Sequence, residues 1–200
     1  MNAKSIKQQH QELFIEAIRA RQHYGIWNVL TNDVDVPRFR GVMEKYPEFF
    51  DLTMAGHLYA MVIRLGKLFD NKNVSIPGLL KRIRKSARTD HKAVSAIDNK
   101  VKAIAHHIKK VVIVRHQALA HLSIQSKPKE IFEMVGMTDD DLNMLTQKSL
   151  EILGDIGPLV DGHTDVEFSS TEDATRAMLA QLGKHGLSRF SSPLNSGRRF

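Results

Sequence analysis

Cysteine is absent from the 200 residues, which removes disulfides, thiolate zinc sites and thiol nucleophiles together. The opening residues Met1 to Gln9 lack the apolar stretch of a signal peptide, and no run approaches the roughly eighteen uninterrupted apolar residues of a membrane span. The expectation is a soluble, cytoplasmic protein with no membrane partner. There is no glycine-rich phosphate loop of the Walker type and no G-x-S-x-G elbow. No histidine pair stands at the i, i+4 spacing of a helical metal site with a carboxylate nearby, so no metal is expected. No segment alternates apolar and polar residues as a half-buried strand does.

What remains is a helical protein with 42% hydrophobic residues, enough for one generous domain or a domain with appendages. The net charge of +7 suggests an acidic partner, but its distribution says more than its sum. Between 81 and 116 stand Lys81, Arg82, Arg84, Lys85, Arg88, Lys92, Lys100, Lys102, Lys109, Lys110 and Arg115 against only Asp90 and Asp98. From Glu130 to Asp173 the balance reverses, with Asp139, Asp140, Asp141, Glu151, Asp155, Asp161, Asp165, Glu167 and Glu172 facing the lone Lys148. Two readings of the basic centre stay open: solvated helix faces, or a polyanion site in which Lys81, Arg82, Arg84, Lys85, Lys109 and Lys110 contact nucleic acid.

Apolar spacing predicts helices over about 4–30, a short piece between Pro37 and Pro47, Glu48 to Phe69, and Ile76 to Ala87 with Ser75 as N-cap. A long helix should follow from Thr89 or Asp90 to about Ser123. A short helix leads to Gly136, Thr138 caps a run from Asp139 to about Leu153, and a last helix spans Thr171 to Leu182. The implied layout is an all-α bundle over 1–125, acidic accessory helices over 126–183, and a basic, mobile tail over 184–200. The scattered methionines read as core filler.

The long central helix carries the most information. Val94, Ile97, Val101, Ile104, Ile108 and Val111 fall on a heptad that continues to Ala118 and Leu122. The seam position due between Val111 and Ala118 is Arg115, a permanent cation where the pattern requires an aliphatic side chain. An unpaired buried guanidinium is strongly destabilising, so Arg115 must meet an acid, a second subunit or an anionic ligand. A structural pair with Asp70 is one solution. His121 lies about 9 Å along the axis and about 120° around it from Arg115, with Ala118 midway, leaving a notch in which an anion fits. His116 points to the other side of Arg115, where it would orient that side chain or touch a neighbouring chain. His106-His107 beside Lys109-Lys110 reads either as solvated surface or as a phosphate contact.

The run Arg115-His116-Gln117-Ala118-Leu119-Ala120-His121 resembles the R-[polar]-x4-H motif of HEPN-domain proteins, helical bundles that often act as ribonucleases in toxin–antitoxin, abortive-infection and CRISPR defence systems. Arg84 and His91 have a similar spacing but straddle the predicted break at Thr89-Asp90. Leu65-Gly66-Lys67-Leu68-Phe69-Asp70, then Ser75 with Leu79-Leu80, then Leu119-Ala120-His121-Leu122, resembles the abortive-infection U-type branch over residues 5 to 125. His116 stands where asparagine is commoner in that motif. The resemblance implies a metal-independent endoribonuclease without a cofactor, built as a homodimer, with RNA as substrate and an antitoxin protein as a possible partner. Arg115 would hold the scissile phosphate, His121 would act as general acid or base, and His116 would orient them. A HEPN module that binds nucleotide, RNA or a protein without cutting is the alternative, and a structural helical scaffold is a third.

Overall fold

The computed structural model describes residues 5–70, 74–86, 90–120, 128–162 and 170–185, apart from the side chains at 118–120, 128–131 and 185. Among these residues there are nine α-helices, one 3-10 turn and no strand, so the protein is an all-α bundle.

Helix α1 (Ile6–Thr31) opens on a reciprocal cap in which Ser5 Oγ accepts from Gln8 N at 3.1 Å and Gln8 Oε1 accepts from Ser5 N at 3.0 Å. It closes at Asn32, whose side-chain oxygen accepts from Val34 N and Asp35 N and so turns the chain into α2 (Asp35–Met43). That helix begins two residues before Pro37, because a proline in the first turn sacrifices an N–H that has no helical partner there. Helix α3 (Pro47–Phe69) follows and ends at Asp70, whose backbone is extended.

Ser75 caps α4 (Ile76–Arg84) by accepting from Gly78 N at 3.1 Å. The helix ends at Arg84 rather than at Ala87, and residue 87 lies outside the described residues. The expected single helix from 90 to 123 is a correction: it is two helices, α5 (His91–Ala103) and α6 (Ala105–Ala120), joined at Ile104. Ile104 leaves helical geometry (φ −103°, ψ 10°) and its N–H turns to Val101 O at 3.3 Å. The change of course follows from docking, since α5 lies on α4 and α8 while α6 lies mainly on α3 and α7 (Pro128–Val135). Ile104 is itself buried in the core at the bend, and that burial offsets the interrupted hydrogen-bond ladder.

Gly136 (φ 63°) takes the left-handed conformation after α7. Helix α8 (Asp139–Ile156) then starts from a Thr138–Asp141 capping box and passes Gly154 into a 3-10 turn, Gly157–Val160. Helix α9 (Thr171–His185) runs three residues beyond its expected end, into the segment read as tail.

Helix α1 is the central element, with α3, α8 and α9 packed around it. One core joins Leu13 and Trp27 of α1, Leu65 and Leu68 of α3, and Leu79 of α4 to Leu145, Ile152 and Leu153 of α8. The acidic helix α8 therefore shares the bundle's main core. A smaller cluster of Val29, Leu30, Phe39, Phe50 and Leu179 fastens α9 over α1, α2 and α3. Beside it Arg176 pairs with the buried Asp35 at 3.0 Å.

Candidate functional site

Arg115 sits on α6 between apolar neighbours and is 8% exposed. Its stem crosses α3 directly over Gly66, where a Cβ atom would overlap the Arg115 Cδ. Past that slot both terminal nitrogens donate to one oxygen of Asp70, at 3.2 Å each. Asp70 is placed for this by the end of α3, because the helix stops there and the backbone extends. The second edge of the guanidinium faces His116, with Arg115 Nη2 3.2 Å from His116 Nε2. As Nη2 can only donate, Nε2 is the acceptor in this contact. Arg115 Nε is buried with no hydrogen-bond partner. The result is a guanidinium held by α3 from below and joined above to an exposed imidazole.

Of the three residues read as catalytic, the structure thus brings Arg115 and His116 into contact. His121 lies outside the described residues, as does the side chain of Ala118 that was to form the notch.

The six basic residues read as nucleic-acid contacts divide. Arg82 bonds Gln9 and Arg84 pairs with Asp98. Lys110 donates to Gly136 O at 2.6 Å and to Asp141 at 2.9 Å. Lys81, Lys85 and Lys109 are exposed and have no ion pair among the described residues. Farther along, Lys100 bridges Glu151 at 2.8 Å and Asp155 at 2.7 Å. Part of the basic centre is therefore neutralised by the acidic helix α8.

Asp141 is the hub of that neutralisation. Besides Lys110 it takes a 2.6 Å hydrogen bond from His107 Nδ1 and caps its own helix through Thr138 N at 3.0 Å. Burial works to raise its carboxyl, but the hydrogen bonds from Lys110, Thr138 and His107 outweigh burial and hold it down at about 2. The Asp141–His107 and Asp141–Lys110 bonds tie α6 to α8 and leave His106 and Lys109 on the outer face.

Sequence reasoning missed three features. The role of Gly66 as a slot appears only once α6 lies on α3. Gln117, next to His116, has an amide oxygen buried from solvent without a hydrogen-bond partner, while other parts of the residue border a cavity between α6 and α7. His23 of α1 and His57 of α3 meet through their Nδ1 atoms at 2.8 Å. Burial, together with the charges of His57 and Arg64, pushes His23 down to about 4. No periodicity signals such a pair, because its members lie on separate helices. Among the described residues no three His, Asp or Glu side chains gather closely enough to hold a metal ion.

A model of the AbiU2 HEPN family matches residues 3–178. The chain belongs to the AbiU2 family of HEPN domains. It is thereby an abortive-infection-associated HEPN domain, and the match extends from α1 into α9, past residue 125 where the sequence resemblance stopped. The AbiU2 match includes both helices of the Arg115–Asp70 pair. No curated protein and no solved structure matches the chain. None of the described helices of this AbiU2 domain is long and apolar enough to cross a membrane.

Proposed function

We propose that the protein is a metal-independent endoribonuclease of an abortive-infection or toxin–antitoxin system, working as a homodimer around Arg115. The observation that carries the reading is the placement of Arg115, a cation embedded in an apolar helix seam, fixed by Asp70 and joined on its free edge to an exposed histidine. A guanidinium held in this way is preorganised for charge that develops on a phosphoryl oxygen, so little reorganisation remains at the moment of reaction.

In the proposed step, a base removes the proton of an RNA 2′-hydroxyl and the 2′-oxygen attacks the adjacent phosphorus. The 5′-oxygen leaves and takes a proton from an acid, giving a 2′,3′-cyclic phosphate and a 5′-hydroxyl end. Arg115 stabilises the phosphoryl charge and His116 orients it. His121 supplies or accepts the proton by likeness to the HEPN motif. Two copies face to face provide both an acid and a base.

A second reading has its own support. Arg115 is paired with Asp70 within one chain, as in a structural ion pair, and this favours a HEPN module that binds RNA, nucleotide or an antitoxin protein without cutting. Assays of His121→Ala and Arg115→Lys separate the two. The ribonuclease reading expects His121→Ala to bind RNA but not cut it, and Arg115→Lys to stay inactive because an ammonium does not reproduce the planar fork. A His121→Ala protein that cuts as fast as the wild type overturns it.

A further inference from the structure

A cavity of about 880 Å³ opens between α1, the N-terminal half of α3, α7 and the start of α8. Trp27, Met54, Leu58, Phe132 and Met137 form its apolar walls, and Met54, Leu58 and Phe132 are only half-buried. A void of about 150 Å³ holds one benzene-sized ring, so this one has room for several bulky side chains. Asp51, Glu133 and Asp139 stand on the rim, and no cation is among the described residues that line it. The Asp139 carboxyl is raised by burial and by the charges of Asp140 and Asp33, so the rim lies in a wider negative field. The gap also leaves α7 lightly held, since its main helix partner is α6 and not α1 or α3.

An apolar hollow ringed by acids suits a segment that is both apolar and basic, and this chain carries one. Residues 186–200 lie outside the described residues, and their sequence combines Leu187, Phe190, Leu194 and Phe200 with Arg189, Arg198 and Arg199 and has no acid. The place where they begin is near the cavity. Gly183 of α9 approaches Val42, and Leu182 lines a small pocket with Tyr46, which caps α3 little more than one turn before Asp51. Met54 packs on the Leu179 cluster as well as lining the cavity. Fully extended, the 15 residues 186–200 span up to about 50 Å, which is ample for the distance.

We propose that segment 186–200 docks into this cavity within its own chain, with Phe190 and Leu194 among the apolar walls and its arginines on the acidic rim. The proposal goes beyond the ribonuclease reading and does not draw on it. Burial of the half-exposed walls supplies the driving force. Methionine thioethers pack well against aromatic rings, which matches Phe190 to Met54 and Met137. Guanidinium groups pair with carboxylates in a fixed fork, so the arginines set the position of the segment. Tethering raises its local concentration to roughly millimolar, so that weak docking is still occupied. The docked segment joins α7 to α1 and α3, and α7 packs on α6, the helix that carries Arg115.

Trp27 is the sole tryptophan and lines the cavity, so its fluorescence reports the occupant directly. The test is acrylamide quenching of Trp27 in the full chain, comparing wild type with Phe190→Ser/Leu194→Ser and with Arg198→Glu/Arg199→Glu. Both variants should quench more strongly than the wild type and emit further to the red, with unchanged circular dichroism. Amide hydrogen exchange in α7 should be faster in both. Adding Asp51→Lys to Arg198→Glu/Arg199→Glu should recover part of the protection, because both signs are then reversed. Protection in the wild type should persist on dilution from micromolar to nanomolar protein, since a tethered segment does not depend on concentration. Equal quenching and equal exchange in wild type and variants overturn the proposal and leave the cavity to a different occupant. Protection that disappears on dilution overturns docking within the chain and assigns the cavity to the same segment of a second copy.

Discussion

Gly66 is the residue on which the Arg115 arrangement most directly depends. Its missing side chain is the space the arginine stem occupies, so Gly66→Ala forces either the stem or α6 to move. We expect a loss of about 1–3 kcal/mol in urea denaturation, the usual cost of overfilling a packed contact. Gly56 is the internal control, since it lies in the same helix with open space around it. Gly56→Ala should stabilise by about 0.4–1 kcal/mol, because alanine narrows the unfolded ensemble and favours helix. Equal effects at the two glycines would remove the slot from the account. Arg115 itself was legible as a cation breaking an apolar heptad, and Asp70 as an acid able to meet it. The slot was not, because a glycine inside a helix shows its purpose only against the neighbouring element.

A second residue-scale expectation concerns acid. His23 has its pKa in the folded state lowered from 6.5 to about 4 by burial and by the nearby His57 and Arg64. The unfolded chain therefore binds the proton more readily between those values. Stability should be full above about pH 6.5 and fall as the pH drops toward 4. His57 is lowered as well by burial, so the pair adds in the same direction. Urea midpoints measured from pH 7 to pH 4.5 should decline in the wild type and decline less in His23→Leu. Parallel curves for the two proteins would show that the pair does not set acid sensitivity.

At the scale of elements, caps were the most readable signals. Ser75, Asp90 and Thr138 each accept from the first turn of the helix they precede. Thr138→Ala should cost about 1 kcal/mol in thermal or urea unfolding, and Thr138→Ser should cost much less. A null effect of Thr138→Ala would mean that Asp141 holds the start of α8 unaided. The bend at Ile104 was hidden for a physical reason. No glycine or proline marks it, and the heptad runs through it unbroken because Ile104 faces the core on both sides of the turn. Periodicity reports which residues are buried, and a change of axis that keeps the same residue buried leaves the pattern intact. The cavity between α6 and α7 was equally invisible, since Ile113 and Met134 come to line it only when α7 folds back on α6.

For the molecule as a whole, charge and assembly decide between the functional readings. The +7 charge does not translate into eleven available cations, because α8 takes up Lys100 and Lys110 and local partners take up Arg82 and Arg84. RNA binding should therefore weaken with salt less steeply than the basic segment alone suggests, with a slope reflecting only the few exposed lysines. Titrations of labelled RNA between about 50 and 200 mM salt read that slope, and salt-independent binding would return those lysines to ordinary surface. Light scattering at micromolar protein should show a dimer, since a single Arg115 site is thin equipment for both proton transfers. A strict monomer that nonetheless cuts RNA would require both acid and base from one chain.

The central claim is that Arg115 serves phosphoryl chemistry rather than packing alone. It is tested most directly by single-turnover cleavage of end-labelled RNA by the purified full chain in the presence of chelator, comparing wild type with Arg115→Ala. Loss of one preorganised charge donor typically costs about 10²–10³ in rate. The account predicts wild-type cleavage undiminished by chelator, products ending in 2′,3′-cyclic phosphate, and a loss of that size in a variant that remains folded. Intact RNA after incubation with the wild type, or cleavage by Arg115→Ala at the wild-type rate, would contradict it.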